Sequence, residues 1–353
     1  MQLKKITRKI HLWLGLPSSI IVFIICFTGS LFVFTDEIID FSAKEISCVA
    51  PGNTQISVDS ILDSVKKAYQ KHILIHCINY KDKEKAALFV IANKVSGPSF
   101  VYVNPYNGRI IGSTNIIKFF SFVGHLHKQL MSGKWGAWIV LITSVIFIIE
   151  LITGLIMWWP KNKNKKYFKN SLTIKRNTKL LRRLIDLHRV FGLYFIVVLL
   201  LLSITGVILF FLPKYGIEVQ QKDKQSVLLD TTQQVLPLAS IVGQQMKKPE
   251  VKVVKTELWN IEKSNEVQCI AGSKIGMATY VGKPYLINKF TGEIIEDAEI
   301  IEVIETRNVF RKLHLGDWLG WFGKVITFCT GLIGSFLAIS APMIWWKKKR
   351  RNV

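Results

Sequence analysis

Four stretches of the chain are apolar over a length that almost no charged residue interrupts. Ile10–Thr35 carries no charge and one histidine, His11; Trp135–Trp159 carries one acid, Glu150; Val190–Pro213 and Val325–Trp346 carry none. About 20 apolar residues are needed to cross ~30 Å of hydrocarbon, so the pattern predicts four transmembrane helices. Nine of the ten Trp lie in or beside these runs, as an interfacial aromatic belt requires. Pro17 and Pro342 fall inside runs, where membrane helices tolerate them. The first run follows Lys4, Lys5, Arg8 and Lys9, as a signal peptide would. It is too long for a typical signal core and no A-x-A site follows, so it is expected to stay as an anchor.

Between the runs the pattern changes. The first long segment predicts a helix over Val58–Lys71, strands near Ile73–Asn79 and Ala86–Ala92, and a hairpin over Phe100–Gly112 turning at Asn104-Pro105-Tyr106-Asn107-Gly108. The second predicts a helix over Leu238–Lys247, strands near Val251–Trp259 and Val267–Gly272, and a hairpin over Tyr280–Ile295. The expected fold is thus a membrane α-helical bundle of four transmembrane helices with two small α+β extracytoplasmic modules. Its divisions are helix one (1–35), first module (36–124), helix two (125–160), basic loop (161–186), helix three (187–213), second module (214–312) and helix four with a basic tail (313–353).

Charge sharpens that picture. The formal net charge is +23, which alone would suggest nucleic acid. Its placement argues against that. Segments 1–9, 160–189 and 347–353 hold twenty Lys and Arg against the single acid Asp186, which is +19 of the +23. The two long segments are nearly balanced. Basic short flanks are the positive-inside signature, with lipid headgroups as their partners. Both termini and the basic loop are expected in the cytoplasm of a bacterial inner membrane, and both modules outside it.

An internal repeat runs through the chain. His11 is followed by Gly15, Thr28 and Gly29 at +4, +17 and +18; His188 is followed by Gly192, Thr205 and Gly206 at the same offsets. Leu126-His127 is followed by Gly136 at +9 and Trp158-Trp159 at +31 and +32; Leu313-His314 is followed by Gly323 and Trp345-Trp346 likewise. A helix–module–helix unit is expected to be present twice, as parallel repeats about an axis normal to the membrane.

Five cysteines show no C-x-x-C and no haem-attachment motif. Cys26 and Cys329 are expected to pack within spans, and Cys48 and Cys77 to be able to pair in an oxidising compartment. Of seven histidines, His72 and His76 straddle a predicted helix end and are expected at the surface. The other five sit at span entrances. Topology places His11 with His188 on the cytoplasmic side and His127 with His314 on the outer side. Two facing imidazoles without a third protein ligand suit a six-coordinate b-type haem better than zinc. Two haems b are expected, and a bis-histidine iron with no open position favours electron transfer. His125, two residues from His127, is a spare or supporting residue. Glu150 either hydrogen-bonds a ligand or passes a proton, or is a neutral acid bonded to a neighbouring helix. Lys9, Lys128, Arg189 and Lys312 are candidate propionate partners, and serve equally as interfacial charges. The glycines allow close approach of helices or of a macrocycle.

These residues resemble the PepSY-associated transmembrane helix family, which includes iron-regulated membrane proteins and inner-membrane ferrisiderophore reductases. The matching pieces are Lys9-Ile10-His11-Leu12-Trp13-Leu14-Gly15, Leu187-His188-Arg189-Val190-Phe191-Gly192, Leu126-His127, Leu313-His314, and the strand-turn Val101–Gly108. The resemblance implies b-haem binding and electron delivery to a ferric siderophore or other ferric chelate in the periplasm. Two features depart from it. The second turn, Asn288-Lys289-Phe290-Thr291-Gly292, lacks the Asn-Pro step, and no G-x-G-x-x-G follows a strand, so the donor is expected to be another cytoplasmic protein, free reduced flavin or quinol. The alternative is a non-enzymatic PepSY protein, a peptidase inhibitor or envelope sensor. A permease is disfavoured by the few polar groups within the spans.

Overall fold

A computed structural model describes residues 2–159, 165–175, 177–212, 234–259, 261–262, 264–295 and 298–351. The start of the predicted basic loop, the predicted end of span three at Pro213, and the opening of the second module through 233 lie outside them. In chain order the helices and strands are α1 (Gln2–Val33), α2 (Thr35–Ser42), α3 (Val58–Ala68), β1 (Ile73–Tyr80), β2 (Ala87–Asn93), β3 (Gly97–Val103), β4 (Ile110–Thr114), α4 (Ile116–Gln129), α5 (Gly133–Trp158), α6 (Lys165–Leu172), α7 (Leu180–Tyr194), α8 (Ile196–Phe211), α9 (Leu238–Met246), β5 (Val253–Glu257), β6 (Glu266–Ile275), β7 (Tyr280–Asn288), β8 (Ile294–Ile295), α10 (Ala298–Leu315) and α11 (Gly320–Arg351). They form two compact units. The first comprises Met1–Phe34, Phe122–Phe211 and Val309–Val353, and the second Thr35–Ser121 and Leu212–Asn308.

The first unit is helical. Three segments are long and apolar enough to cross a membrane: Lys4–Val33, Gly133–Trp158 and Asp317–Arg350. α7 and α8 meet that test only together, bent by 65° at Phe195, so among the described residues the spans number three, or four if the bent pair is one. α1 packs along α11 and α5, α5 also along α8, and α11 also along α7. Trp13, Ile20, Trp135, Val197 and Phe211 point outward, as a lipid-facing surface requires. Inside, hydroxyls return to their own helix: Thr330 donates to Ile326 O at 2.7 Å and Ser335 to Gly331 O at 2.9 Å. Helices thereby bury polar side chains without leaving them unpaired.

The predicted second and fourth spans are each broken near their histidine. Leu130 and Met131 have φ of 47° and 58°, and Gly133 has 58°; on the other side Gly316 has 76° and Gly320 58°, bracketing a 3-10 turn at Asp317–Leu319. The corners are tight: a methyl on Gly136 would strike the Gln129 carbonyl, and one on Gly323 the Gly316 carbonyl. His127 and His314 therefore lie on α4 and α10, ahead of the span helices. His188 lies on α7, which begins at Leu180 inside the predicted loop, ahead of the bend. Only His11 sits on an unbroken span.

The second unit holds one eight-stranded antiparallel sheet, ordered β4-β3-β2-β1-β5-β6-β7-β8. Two separate modules were the expectation; the halves are joined edge to edge, with Cys77 opposite Thr256 and Tyr80 opposite Val253. That pairing satisfies the edge that β1 and β5 would each expose alone. One core runs across the seam, with Ile61, Val65, Phe89 and Val101 from the first half and Ile241, Val254, Cys269 and Ile287 from the second. Asp59 on α3 accepts the backbone N–H groups of Leu238 and Ala239 at 2.8 Å each, capping α9, whose preceding Pro237 offers no side-chain cap.

The two hairpin turns share one construction. Asn104 Oδ1 accepts Tyr106 N at 2.8 Å and Asn288 Oδ1 accepts Phe290 N at 2.9 Å. Gly108 and Gly292 follow, with φ of 71° and 75°. The missing Asn-Pro step changes none of this, because the asparagine side chain makes the turn.

Several residues fall elsewhere than expected. Cys48 is exposed, Cys77 is buried on β1, and both are free thiols. Cys269 flanks Thr256 on the far side from Cys77, two strands and about 10 Å away, beyond disulfide reach. Burial pushes the Cys77 and Cys269 thiols up to about 12. Cys329 is exposed on α11 rather than packed. α3 ends at Ala68, leaving His72 edge-on to Tyr69. His76 is half-buried within β1 between Val90 and Glu257, and desolvation together with Lys255 holds its pKa well below the usual 6.5.

Candidate functional site

Within the helical unit the histidines meet in two pairs. The His11 and His188 rings have centroids 6.4 Å apart at an interplanar angle of 88°. The His127 and His314 rings are 6.2 Å apart at 55°. Helical geometry puts each there. His11 and Gly29, which lies against the His127 ring, are 18 residues apart on α1, five turns at 3.6 residues per turn, so one face of α1 serves both pairs.

Each ring is fixed through Nδ1. His127 Nδ1 lies 3.2 Å from Thr28 Oγ1 and 2.9 Å from Ile25 O. His314 Nδ1 lies 2.9 Å from Thr205 Oγ1. His11 Nδ1 lies 3.0 Å from Thr153 Oγ1, and His188 Nδ1 2.6 Å from Ser340 Oγ. The hydroxyls set the tautomer. Thr28 spends its proton on Ile24 O at 2.5 Å, Thr205 on Leu201 O at 2.7 Å, Thr153 on Ile149 O at 2.8 Å and Ser340 on Leu337 O at 3.0 Å. Each oxygen must then accept from Nδ1–H, which leaves the Nε2 lone pair as the ring's donor. Among the described residues no protein group hydrogen-bonds to Nε2 of any of the four.

This arrangement fits a bis-histidine iron. A metal–imidazole bond is about 2.0–2.1 Å and the ring centre lies about 1 Å behind the nitrogen, so two imidazoles on opposite sides of one ion have centroids about 6 Å apart. Both pairs have that spacing. The described residues hold no group of three or more His, Cys, Asp or Glu that could bind a bare metal ion. Glycines line the rings: a methyl on Gly29 would lie 3.0 Å from His127 Cε1, one on Gly206 3.2 Å from His314 Cε1, and one on Gly154 3.5 Å from His11 Cε1.

Glu150 approaches the first pair. Its Oε2 lies 3.1 Å from His11 Nδ1, and a methyl on Gly15 would come within 2.8 Å of the same oxygen. His125 is exposed on α4 and belongs to neither pair. Arg189 is engaged by Asp186 at 3.2 Å and by Asn170 O at 2.9 Å. The residues sequence reasoning missed are Thr153 and Ser340. They stand 187 positions apart, as do His127 and His314, and that matched offset was the available signal. Thr28 and Thr205 were visible in the repeat, without a role.

Fold and site together define a membrane-helix protein with an α+β part and paired, pre-oriented imidazoles. The chain belongs to the family described as PepSY-associated TM region, which matches residues 8–348. No curated protein matches the chain.

Proposed function

We propose that this is an internally duplicated, four-span electron-transfer protein of the bacterial inner membrane. It carries two b haems, one on His11 and His188 near the cytoplasm and one on His127 and His314 near the periplasm. Each half contributes one PepSY-like module to the periplasmic sheet, and both termini are cytoplasmic. Its reaction is the one-electron reduction of a ferric siderophore or other ferric chelate, releasing Fe(II). The donor is a cytoplasmic reductant or quinol.

The observation that carries this reading is the two imidazole pairs at haem-ligand spacing, each with Nε2 free and Nδ1–H held. When bound, a bis-histidine haem supplies a one-electron couple with both axial positions filled. The chain's own residues orient the rings, through Thr28, Thr153, Thr205 and Ser340, and keep them in an apolar bundle. Recurrence of the ring partners at constant offsets, 177 for the α1 and α7–α8 residues and 187 for the others, supports duplication. The ferric substrate follows from the family resemblance.

Detergent-purified protein should show a Soret band and a sharp α-band on dithionite reduction, with two haems per chain. Ferric chelate added to the reduced protein should reoxidise it. A colourless protein from haem-replete cells would remove the haem reading and leave the inhibitor or sensor alternative. Two haems that no ferric chelate reoxidises would remove the substrate alone.

A further inference from the structure

The four Nδ1 environments are not equal. His127, His188 and His314 donate to neutral acceptors: hydroxyls, and for His127 also the Ile25 carbonyl. His11 alone has a carboxyl group as well, Glu150 Oε2 at 3.1 Å. The position equivalent to Glu150, 187 residues on, is Leu337. The packing is equivalent too. A methyl on Gly15 would meet Glu150, and a methyl on the matching Gly192 would meet Leu337 at 3.9 Å. One half therefore puts a carboxyl group where the other puts an aliphatic side chain. Glu150 is also placed against cost. It is 8% exposed within an apolar helix, and its Oε1 is buried without a hydrogen-bond partner among the described residues. An acid retained there at such expense is a functional residue by default.

Resting on the haem reading above, we infer that Glu150 is a positioning residue that holds the midpoint potential of the cytoplasmic-side haem below that of the periplasmic-side haem. A carboxylate accepting Nδ1–H increases the electron donation of the imidazole and favours the oxidised metal. Hydrogen bonding to the axial ligand is one of the protein's means of setting a haem potential. Neutral hydroxyls and carbonyls do this less. The two layers are thereby ordered in potential from the cytoplasmic to the periplasmic side by one side chain.

An optical redox titration of the purified holoprotein at fixed pH tests this. The wild type should titrate in two one-electron waves, and a His314→Ala protein, keeping the cytoplasmic-side haem, identifies the lower one. Glu150→Leu, which copies the other half, should raise the lower wave by tenfold or more in the reduction equilibrium, 59 mV for one electron, and leave the upper wave in place. Glu150→Gln should move it the same way by less, and supplies the measurement if the leucine variant does not fold. Leu337→Glu should lower the same wave further. Coincident waves in the wild type, an unmoved lower wave in both Glu150 variants, or equal movement of both waves would overturn the inference. A wild type without haem would overturn the proposed function instead.

Discussion

In the His127–His314 pair each ring leans on a threonine hydroxyl, Thr28 or Thr205, at equivalent places in the two halves, and His127 also on the main-chain carbonyl of Ile25. In the His11–His188 pair the hydroxyls are those of Thr153 and Ser340, and His11 also meets the Glu150 carboxyl group. A carbonyl in a helix is fixed by the main chain, while a side chain at the same distance is free to differ between repeats. The second acceptor of the His127–His314 pair is thus fixed, and that of the His11–His188 pair is open to adjustment. His127 and His314 both stand near the ends of their helices, ahead of glycine-bearing corners, while His11 and His188 lie within α1 and α7.

The strongest way to break the comparison is to remove a ligand from each layer. His314→Ala should lower the haem content from two per chain to one, and His188→Ala should do the same while removing the other haem. Spectra of the two variants should sum to that of the wild type. Loss of both haems from either single change would mean that the layers are not independent. The next effect concerns the corners. Gly136→Ala and Gly323→Ala each force a methyl into a backbone carbonyl that cannot rotate away, a clash costing about 3 kcal/mol or more. Thermal unfolding of both variants should shift downward, with the His127–His314 haem lost first. A glycine variant that released the His11–His188 haem first would reverse the assignment of rigidity to the His127–His314 pair.

The pairing of the histidines could be read from the sequence because it depends on offsets and span direction alone. The asparagine turns were legible for a related reason, since Asn104 and Asn288 act on their own next few residues. Features that depend on distant partners were not. β1 and β5 join across more than 170 residues, and nothing local in Ile73–Tyr80 distinguishes a strand with two partners from an edge strand. The bend at Phe195 was hidden by continuous apolar sequence. Leu130 and Met131 adopt positive φ without being glycine, and the 65° bend has neither proline nor glycine at its apex. Glu150 was visible as an intramembrane acid, but its partner was not, because His11 lies 139 positions away on a different helix.

The smallest effect is also the most discriminating. Ser340 is the acceptor for His188 Nδ1–H, and Leu337 stands where Glu150 would offer a second. Ser340→Ala therefore leaves a buried N–H with no partner, at a cost of about 1–3 kcal/mol, which is roughly five- to 160-fold in haem retention. Thr153→Val on the opposite ring leaves Glu150 in place, and Thr28→Val leaves the Ile25 carbonyl, so each should cost less than Ser340→Ala. Haem transfer to excess apomyoglobin, followed at the Soret band, orders the three. If the layers differ as their hydrogen bonds do, Ser340→Ala releases its haem fastest and Thr28→Val slowest, because a main-chain acceptor survives any side-chain substitution. Equal rates would mean that the Nδ1 partners do not hold these rings, and the distinction between a fixed layer and an adjustable one would lose its physical basis.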